Sequence, residues 1–209
     1  MANQPDVVRA LLFDLDGVLI DSFHAWLRLV NQAAREFGRP PIGEAAFRRS
    51  FGQSSAADIE EFFQGRTVSE VDAFFAAHFR DHLEAVTVNP ESTSLLSRAR
   101  DVGLRTACVT NTVQPLAEEI LAVTQLRPLL DVVVGAGPPR RPKPEPDLVR
   151  AAADALATPL AACALVGDSA FDVEAGRRAP VFTIGLAIAA DARVEHLRDV
   201  SRWIPSPLA

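Results

Sequence analysis

The chain has 209 residues, 48% apolar and 23% charged, with 11 Gly and 15 Pro, a composition that excludes disordered, collagenous and low-complexity proteins. That length holds one domain, or one domain carrying a smaller insert. The 21 basic against 27 acidic residues leave a net charge of -6, which argues against a nucleic-acid partner because that class presents a basic face.

In chain order, the first predicted element is a strand from Val7 to Phe13, near-continuously apolar as a strand buried on both faces of a parallel sheet should be. Residues 22–88 then show helical periodicity and no convincing buried strand. Asp21-Ser22 is expected to cap the first helix of this stretch, with Pro40-Pro41 and Phe51-Gly52 as breaks. Thr67-Val68-Ser69-Glu70 has capping-box spacing, and the stripe Val71, Phe74, Phe75, Phe79, Leu83 that follows is read as packing. Asn89-Pro90-Glu91 is expected to open another helix, Asn as cap and Pro at the first helical position. Further strands are predicted at Leu104 to Val109, Asp131 to Val134, Ala162 to Val166 and Val181 to Ile184. A helix is predicted at Glu145 to Ala157, and the Pro-rich run Pro138 to Pro144 is a rigid loop.

Strand and helix alternate from about residue 90, so the fold class is α/β, a doubly wound parallel sheet with an inserted α-helical domain. The core domain is assigned to residues 1–21 and 89–209, the insert to 22–88. Cys108 and Cys163 lie in apolar runs and read as buried free thiols. No apolar stretch reaches the roughly 18 residues of a membrane span, and the start carries no positively charged leader, so no membrane contact and a cytoplasmic location are expected.

In open parallel sheets the ligand site lies beyond the carboxyl ends of the strands. There the sequence places Asp14-Leu15-Asp16-Gly17, Thr110-Asn111, and Gly167-Asp168-Ser169 with Asp172 following. Carboxylates one residue apart, emerging from an apolar strand, repel each other and call for a compensating cation, for which Mg2+ is suited by its preference for carboxylate and carbonyl oxygens. Lys143 is the single lysine of the chain. A sequence so biased towards Arg keeps a Lys where a planar guanidinium will not serve.

Four segments, DLDGVLIDS (Asp14 to Ser22), VTN (Val109 to Asn111), RPKPEPD (Arg141 to Asp147) and GDSAFD (Gly167 to Asp172), occur in this order, and with them the chain resembles the haloacid dehalogenase superfamily. The resemblance is to its phosphatase branch with a helical cap, similar to phosphoglycolate phosphatases and beta-phosphoglucomutases, and covers essentially the whole chain. It implies Asp14 as nucleophile, forming an aspartyl phosphate, and Asp16 as general acid and then base. It implies Mg2+ held by Asp14, the backbone carbonyl of Asp16, and Asp168, with Asp172 either completing the acidic cup or orienting Lys143. Thr110, Asn111 and Lys143 would hold the transferring phosphoryl group, Asn111 chiefly by organising the loop. His24, Arg49 and Gln53 in the insert are candidates for substrate specificity; Trp26 and Arg48 lie beside them.

Asp16 argues against a dehalogenase, which lacks that carboxylate, and the absence of lysine from the insert argues against a Schiff-base phosphonate hydrolase. A phosphatase acting on a small-molecule phosphate ester is therefore expected, with no protein partner implied. Two alternatives stay open: a phosphomutase, which would need Arg48 or Arg49 for a second phosphate, and a non-catalytic binding protein on the same fold.

Overall fold

The computed structural model describes residues 5 and 7–205. By its internal contacts the chain divides into two units, residues 1–20 with 88–209, and residues 21–87. The first unit is built on β1 (Ala10–Phe13), β4 (Arg105–Val113), β5 (Val132–Ala136), β6 (Cys163–Gly167), β7 (Phe182–Leu186) and β8 (Ala192–Val194). They form one six-stranded sheet in the order β5-β4-β1-β6-β7-β8, every pairing parallel. The remaining two strands, β2 (Ile20–Asp21) and β3 (Thr87–Val88), make a separate two-residue ribbon.

The central position of β1 follows from its sequence: Ala10, Leu11, Leu12 and Phe13 are all fully buried, which only a strand covered on both faces permits. Covering is provided by α5 (Ser92–Asp101), α6 (Gln114–Val123), α7 (Asp147–Ala155) and α8 (Ala170–Arg178). The buried side of α7 is Leu148, Val149, Ala152 and Ala153, at helical spacing, packed in one cluster with Leu12, Val109 and Leu165. Each fully buried Leu there contributes roughly 1.5–3 kcal/mol. This core fixes the carboxyl ends of β1, β4 and β6 side by side, and the candidate site is built on those ends.

One predicted helix start is corrected, and a second is capped by the first residue of its expected pair. The helix expected from Asn89 begins at Ser92: the Asn89 carboxamide oxygen accepts from the Glu91 N–H (3.1 Å), and its nitrogen donates to the Val18 carbonyl (3.1 Å), so Asn89 makes a turn and a tether and caps nothing. At α1 (Phe23–Glu36), Ser22 occupies the N-cap position without a capping hydroxyl bond, and it is the Asp21 carboxylate that accepts from the Phe23 N–H (3.3 Å). The predicted strands are present with ends shifted by at most four residues. β8 was not expected, since three residues, only one of them buried, carry no readable period. β3 lies at the end of a stretch read as free of strands.

The second unit contains α1, α2 (Glu44–Ser50), α3 (Ser55–Glu61), α4 (Val68–His78) and a 3-10 helix at Phe79–Ala85. Its interior is aromatic. Trp26 packs on Phe75 (5.5 Å between centroids) and Phe79 (5.0 Å), and Phe23 on Phe47 (5.4 Å), so the phenylalanine stripe is packing as expected. The Thr67–Glu70 capping box is formed in both directions. Among the described residues no helix is long and apolar enough to cross a membrane. Both cysteines are free and buried.

Candidate active site

Asp14 is the first residue beyond β1. Its N–H donates to the Val166 carbonyl (2.9 Å), so the backbone is still held by the neighbouring strand while the side chain leaves the sheet. The carboxylate is buried, and its Oδ1 accepts from the Leu15 N–H (2.7 Å) and from Lys143 Nζ (2.8 Å). Two donors on one oxygen set the rotation of the whole group.

Lys143 is 2% exposed, and its ammonium has three acceptors: Asp172 Oδ1 (2.6 Å), Asp14 Oδ1 (2.8 Å) and the Val109 carbonyl (3.0 Å). Three N–H bonds for three acceptors saturate the group. The ammonium expected to grip phosphoryl oxygens is thus first a clamp on two carboxylates. Burial by itself would depress its pKa, but the charges of Asp14 and Asp172 outweigh this and hold it above the ordinary lysine value, so it stays protonated. Its backbone is held as tightly as its head: the Asn111 carboxamide accepts from the Lys143 N–H (2.7 Å) and donates to the Lys143 carbonyl (3.0 Å). The Asn111 carboxamide is thus bonded to the Lys143 backbone through both its oxygen and its nitrogen.

Asp172 is fully buried. Its second oxygen accepts from Ser169 N (3.2 Å) and Ser169 Oγ (2.5 Å), closing a capping box at the start of α8. Asp172 thus has both oxygens engaged, one by Lys143 and the other by the start of α8. Gly167 allows this approach, since a Cβ there would stand 2.2 Å from the Asp172 Cβ.

Oxygens of Asp14, Asp168 and Asp172 lie within 4.8 Å of one another. Asp16 does not enter this cluster by its side chain: its Oδ2 accepts from the Thr112 hydroxyl (3.0 Å). Burial, then the charges of Asp172 and Asp168, hold Asp14 well above the usual carboxylate range, with Lys143 opposing. The same causes in the same order, burial and then Asp172, raise Asp168 to about 7. One ammonium among these carboxylates leaves an excess of negative charge, and Asp14 and Asp168 offer hard oxygen donors. This donor set fits a divalent cation such as Mg2+, whose charge would reverse both shifts. Gly17 is required beside it: its φ is +84°, and a Cβ would fall 2.0 Å from Asp168 Oδ2.

Thr110 is buried at the end of the regular part of β4, its Oγ1 accepting from the Thr112 N–H (3.1 Å). Thr112 itself was missed by the sequence reading. The available signal was the run Thr110-Asn111-Thr112, three polar residues ending a buried apolar strand. Arg141, in the Pro-rich loop, pairs with Asp147 (2.8 Å) and Glu145 (3.3 Å).

The specificity candidates belong to the helical unit. His24 is exposed, its ring nearly perpendicular to that of Phe23 (5.3 Å between centroids). Arg49 is exposed and donates to the Ala45 carbonyl of its own helix (2.9 Å). Gln53 donates to Asp58 (2.8 Å) and Glu61 (3.3 Å), and Arg48 pairs with Glu44 (2.6 Å) with its guanidinium over the Phe23 ring (4.1 Å).

Comparison with known proteins gives a consistent picture. Residues 11–186 match the family described as haloacid dehalogenase-like hydrolase. A plasmid-borne phosphoglycolate phosphatase of Cupriavidus necator is 33% identical over 206 residues, covering 90% of this chain and 89% of the relative. Hexitol phosphatase A of Escherichia coli is 31% identical over 188 residues, covering 88% and 85%. Among solved structures, a hydrolase from Pseudomonas syringae superposes with a TM-score of 0.81 at 21% identity, covering 93% of this chain and 96% of its own, a likeness of fold.

Proposed function

Because the chain belongs to the haloacid dehalogenase-like hydrolases, we propose that it is a magnesium-dependent phosphatase that hydrolyses a small-molecule phosphate monoester through an aspartyl-phosphate intermediate. The observation that carries this reading is the Lys143 ammonium bound to both Asp14 and Asp172 in a buried carboxylate cluster. A nucleophilic carboxylate must be ionised and fixed in direction; Lys143 fixes the direction of Asp14 and favours its charged form against burial, and a bound divalent cation would complete the ionisation.

In the first half-reaction an oxygen of Asp14 attacks phosphorus, the ester P–O bond breaks, and Asp16 gives its proton to the departing oxygen. In the second, Asp16 takes a proton from water, the water oxygen attacks phosphorus, and the bond to Asp14 breaks to release inorganic phosphate. Thr110, whose Oγ1 already accepts from Thr112 N–H, has its own O–H to give to a phosphoryl oxygen. Asn111 keeps Lys143 in register by its two bonds to that residue's backbone. Asp14, Asp168 and the carbonyl of Asp16 would hold Mg2+, which supplies charge neutralisation for the incoming phosphate dianion.

Residues 21–87 act as the cap that selects the substrate. The mutase alternative needs a second phosphate held by Arg48 or Arg49, and the commitments of those two side chains to Glu44, Phe23 and Ala45 favour the phosphatase. The test is phosphate release by the purified chain from 4-nitrophenyl phosphate and from a panel of alkyl phosphates that includes phosphoglycolate and hexitol phosphates. Release is expected with Mg2+, to be lost in EDTA and restored by excess Mg2+. No release from any ester, or full activity in EDTA, refutes the reading.

A further inference from the structure

We infer that Thr112 is a positioning residue for Asp16, seated by a bulge in β4, an inference that rests on the acid and base role proposed above for Asp16. The register of β4 against β5 pairs Thr110 with Gly135 and Val113 with Ala136. Between these pairs β4 advances three residues while β5 advances one. Asn111 and Thr112 are the surplus, and such a bulge re-aims the side chains it contains.

The bulge is held by bonds that replace the lost ladder. Thr110 Oγ1 takes the Thr112 N–H (3.1 Å), Gln114 Oε1 takes the Gly135 N–H (2.7 Å), and Gln114 Nε2 donates to the Val133 carbonyl (3.1 Å). Gly135 makes room for it. A Cβ there would lie 2.6 Å from Gln114 Cα and 2.7 Å from the Thr112 carbonyl oxygen. The result is that Asn111 turns to the backbone of Lys143 while Thr112 turns its hydroxyl to Asp16 Oδ2 (3.0 Å), both side chains buried.

A buried threonine ordinarily satisfies its hydroxyl on a carbonyl, local as for Thr158 with Leu156 and Thr183 with Val181, or more distant as for Thr106 with Leu129. Thr112 sends its hydroxyl to a carboxylate 96 residues away in sequence. A carboxylate that must meet the leaving oxygen in one half-reaction and a water in the next gains from a donor that fixes its rotation. Thr112 supplies that donor without touching the reacting atoms.

Proton donation matters for a leaving alkoxide and hardly at all for 2,4-dinitrophenolate, so the two leaving groups separate this role from a general structural one. The experiment compares kcat/KM of the full chain, with Mg2+, on 2,4-dinitrophenyl phosphate and on an alkyl phosphate from the panel above, for wild type, Thr112→Val and Thr112→Ser. This constant covers the steps up to the phospho-enzyme. Thr112→Val keeps the β-branched shape and loses the donor, and it is expected to widen the aryl-to-alkyl ratio by about 10- to 100-fold, the worth of a hydrogen bond to a charged group. Thr112→Ser is expected to restore the wild-type ratio. An unchanged ratio in Thr112→Val, or an equal change in Thr112→Ser, overturns the role of Thr112 alone. A wild-type chain that releases phosphate from neither ester overturns the phosphatase reading and this inference with it.

Discussion

Replacing Lys143 with Met removes the charge while keeping most of the length of the side chain. Wild-type Lys143 is 2% exposed with charge-assisted bonds to Asp14 (2.8 Å) and Asp172 (2.6 Å). Losing one partner of a buried ion pair costs about 3–5 kcal/mol, because the carboxylate left behind is neither hydrated nor paired. For a chain of this size each kcal/mol lowers the melting temperature by roughly 2–4 °C, so a drop on the order of 10 °C is expected at pH 7.5 without metal. The loss should shrink as pH falls. In the variant Asp14 loses the ammonium that opposed its raised pKa, so the native state binds more protons than the unfolded chain, and stability then declines as pH rises.

The assay is thermal unfolding of wild type and Lys143→Met at pH 5.5 and 7.5, with kcat measured at pH 7.5. Turnover should fall by about 10²- to 10³-fold, the range for a deleted charge-stabilising donor. Lys143→Arg should recover little of it, since a planar fork cannot meet the three acceptors that a compact ammonium satisfies. A Lys143→Met protein that melts within about 2 °C of wild type at pH 7.5 would show that the two ion pairs are not formed, and the reasoning fails.

Asp14→Asn should show no detectable turnover, because an amide cannot accept the phosphoryl group, while the metal-free protein melts at or above the wild-type temperature, since burial already penalises the charged form; normal kcat in the folded variant refutes Asp14 as nucleophile. Asp58, buried in the helical unit, is raised to about 7 chiefly by burial, with Glu61 and Asp72 adding to it and the Gln53 bond opposing. Its folded pKa lies above the unfolded value, so its contribution is most favourable below about pH 4 and declines as pH rises towards 7. Asp58→Asn should accordingly raise the melting temperature at pH 8 and leave it nearly unchanged at pH 4, and an equal effect at both pH values refutes the assignment.

What the sequence made legible was local. β1 announces itself because every residue from Ala10 to Phe13 is apolar and buried, and the carboxylates stand at strand ends because strand and motif are contiguous in the chain. Lys143 could be singled out because a lone lysine among so many arginines is a compositional fact. Its three acceptors could not be read, because Val109, Asp14 and Asp172 come from three different elements and only the sheet order brings them together. The Asn89 misreading has the same origin: Asn-Pro-Glu is a sound local cap signal, and a bond to Val18, 71 residues earlier, overrode it.

The bulge marks the limit most clearly. Regular alternation along β4 would direct Thr110 and Thr112 to one face and Asn111 to the other. Such a strand could not deliver three consecutive side chains to three separate tasks beside one carboxylate cluster. The irregularity is specified by two residues that look unremarkable in sequence, Gly135, whose missing Cβ admits the bulged backbone, and Gln114, whose carboxamide replaces the lost strand bonds. Both lie outside the four motifs, on neighbouring elements. The motif residues carry the proposed chemistry, and it is Gly135 and Gln114 that decide where Thr112 and Asn111 point, so a substitution at Gly135 should disturb Asp16 and Lys143 together although it touches neither.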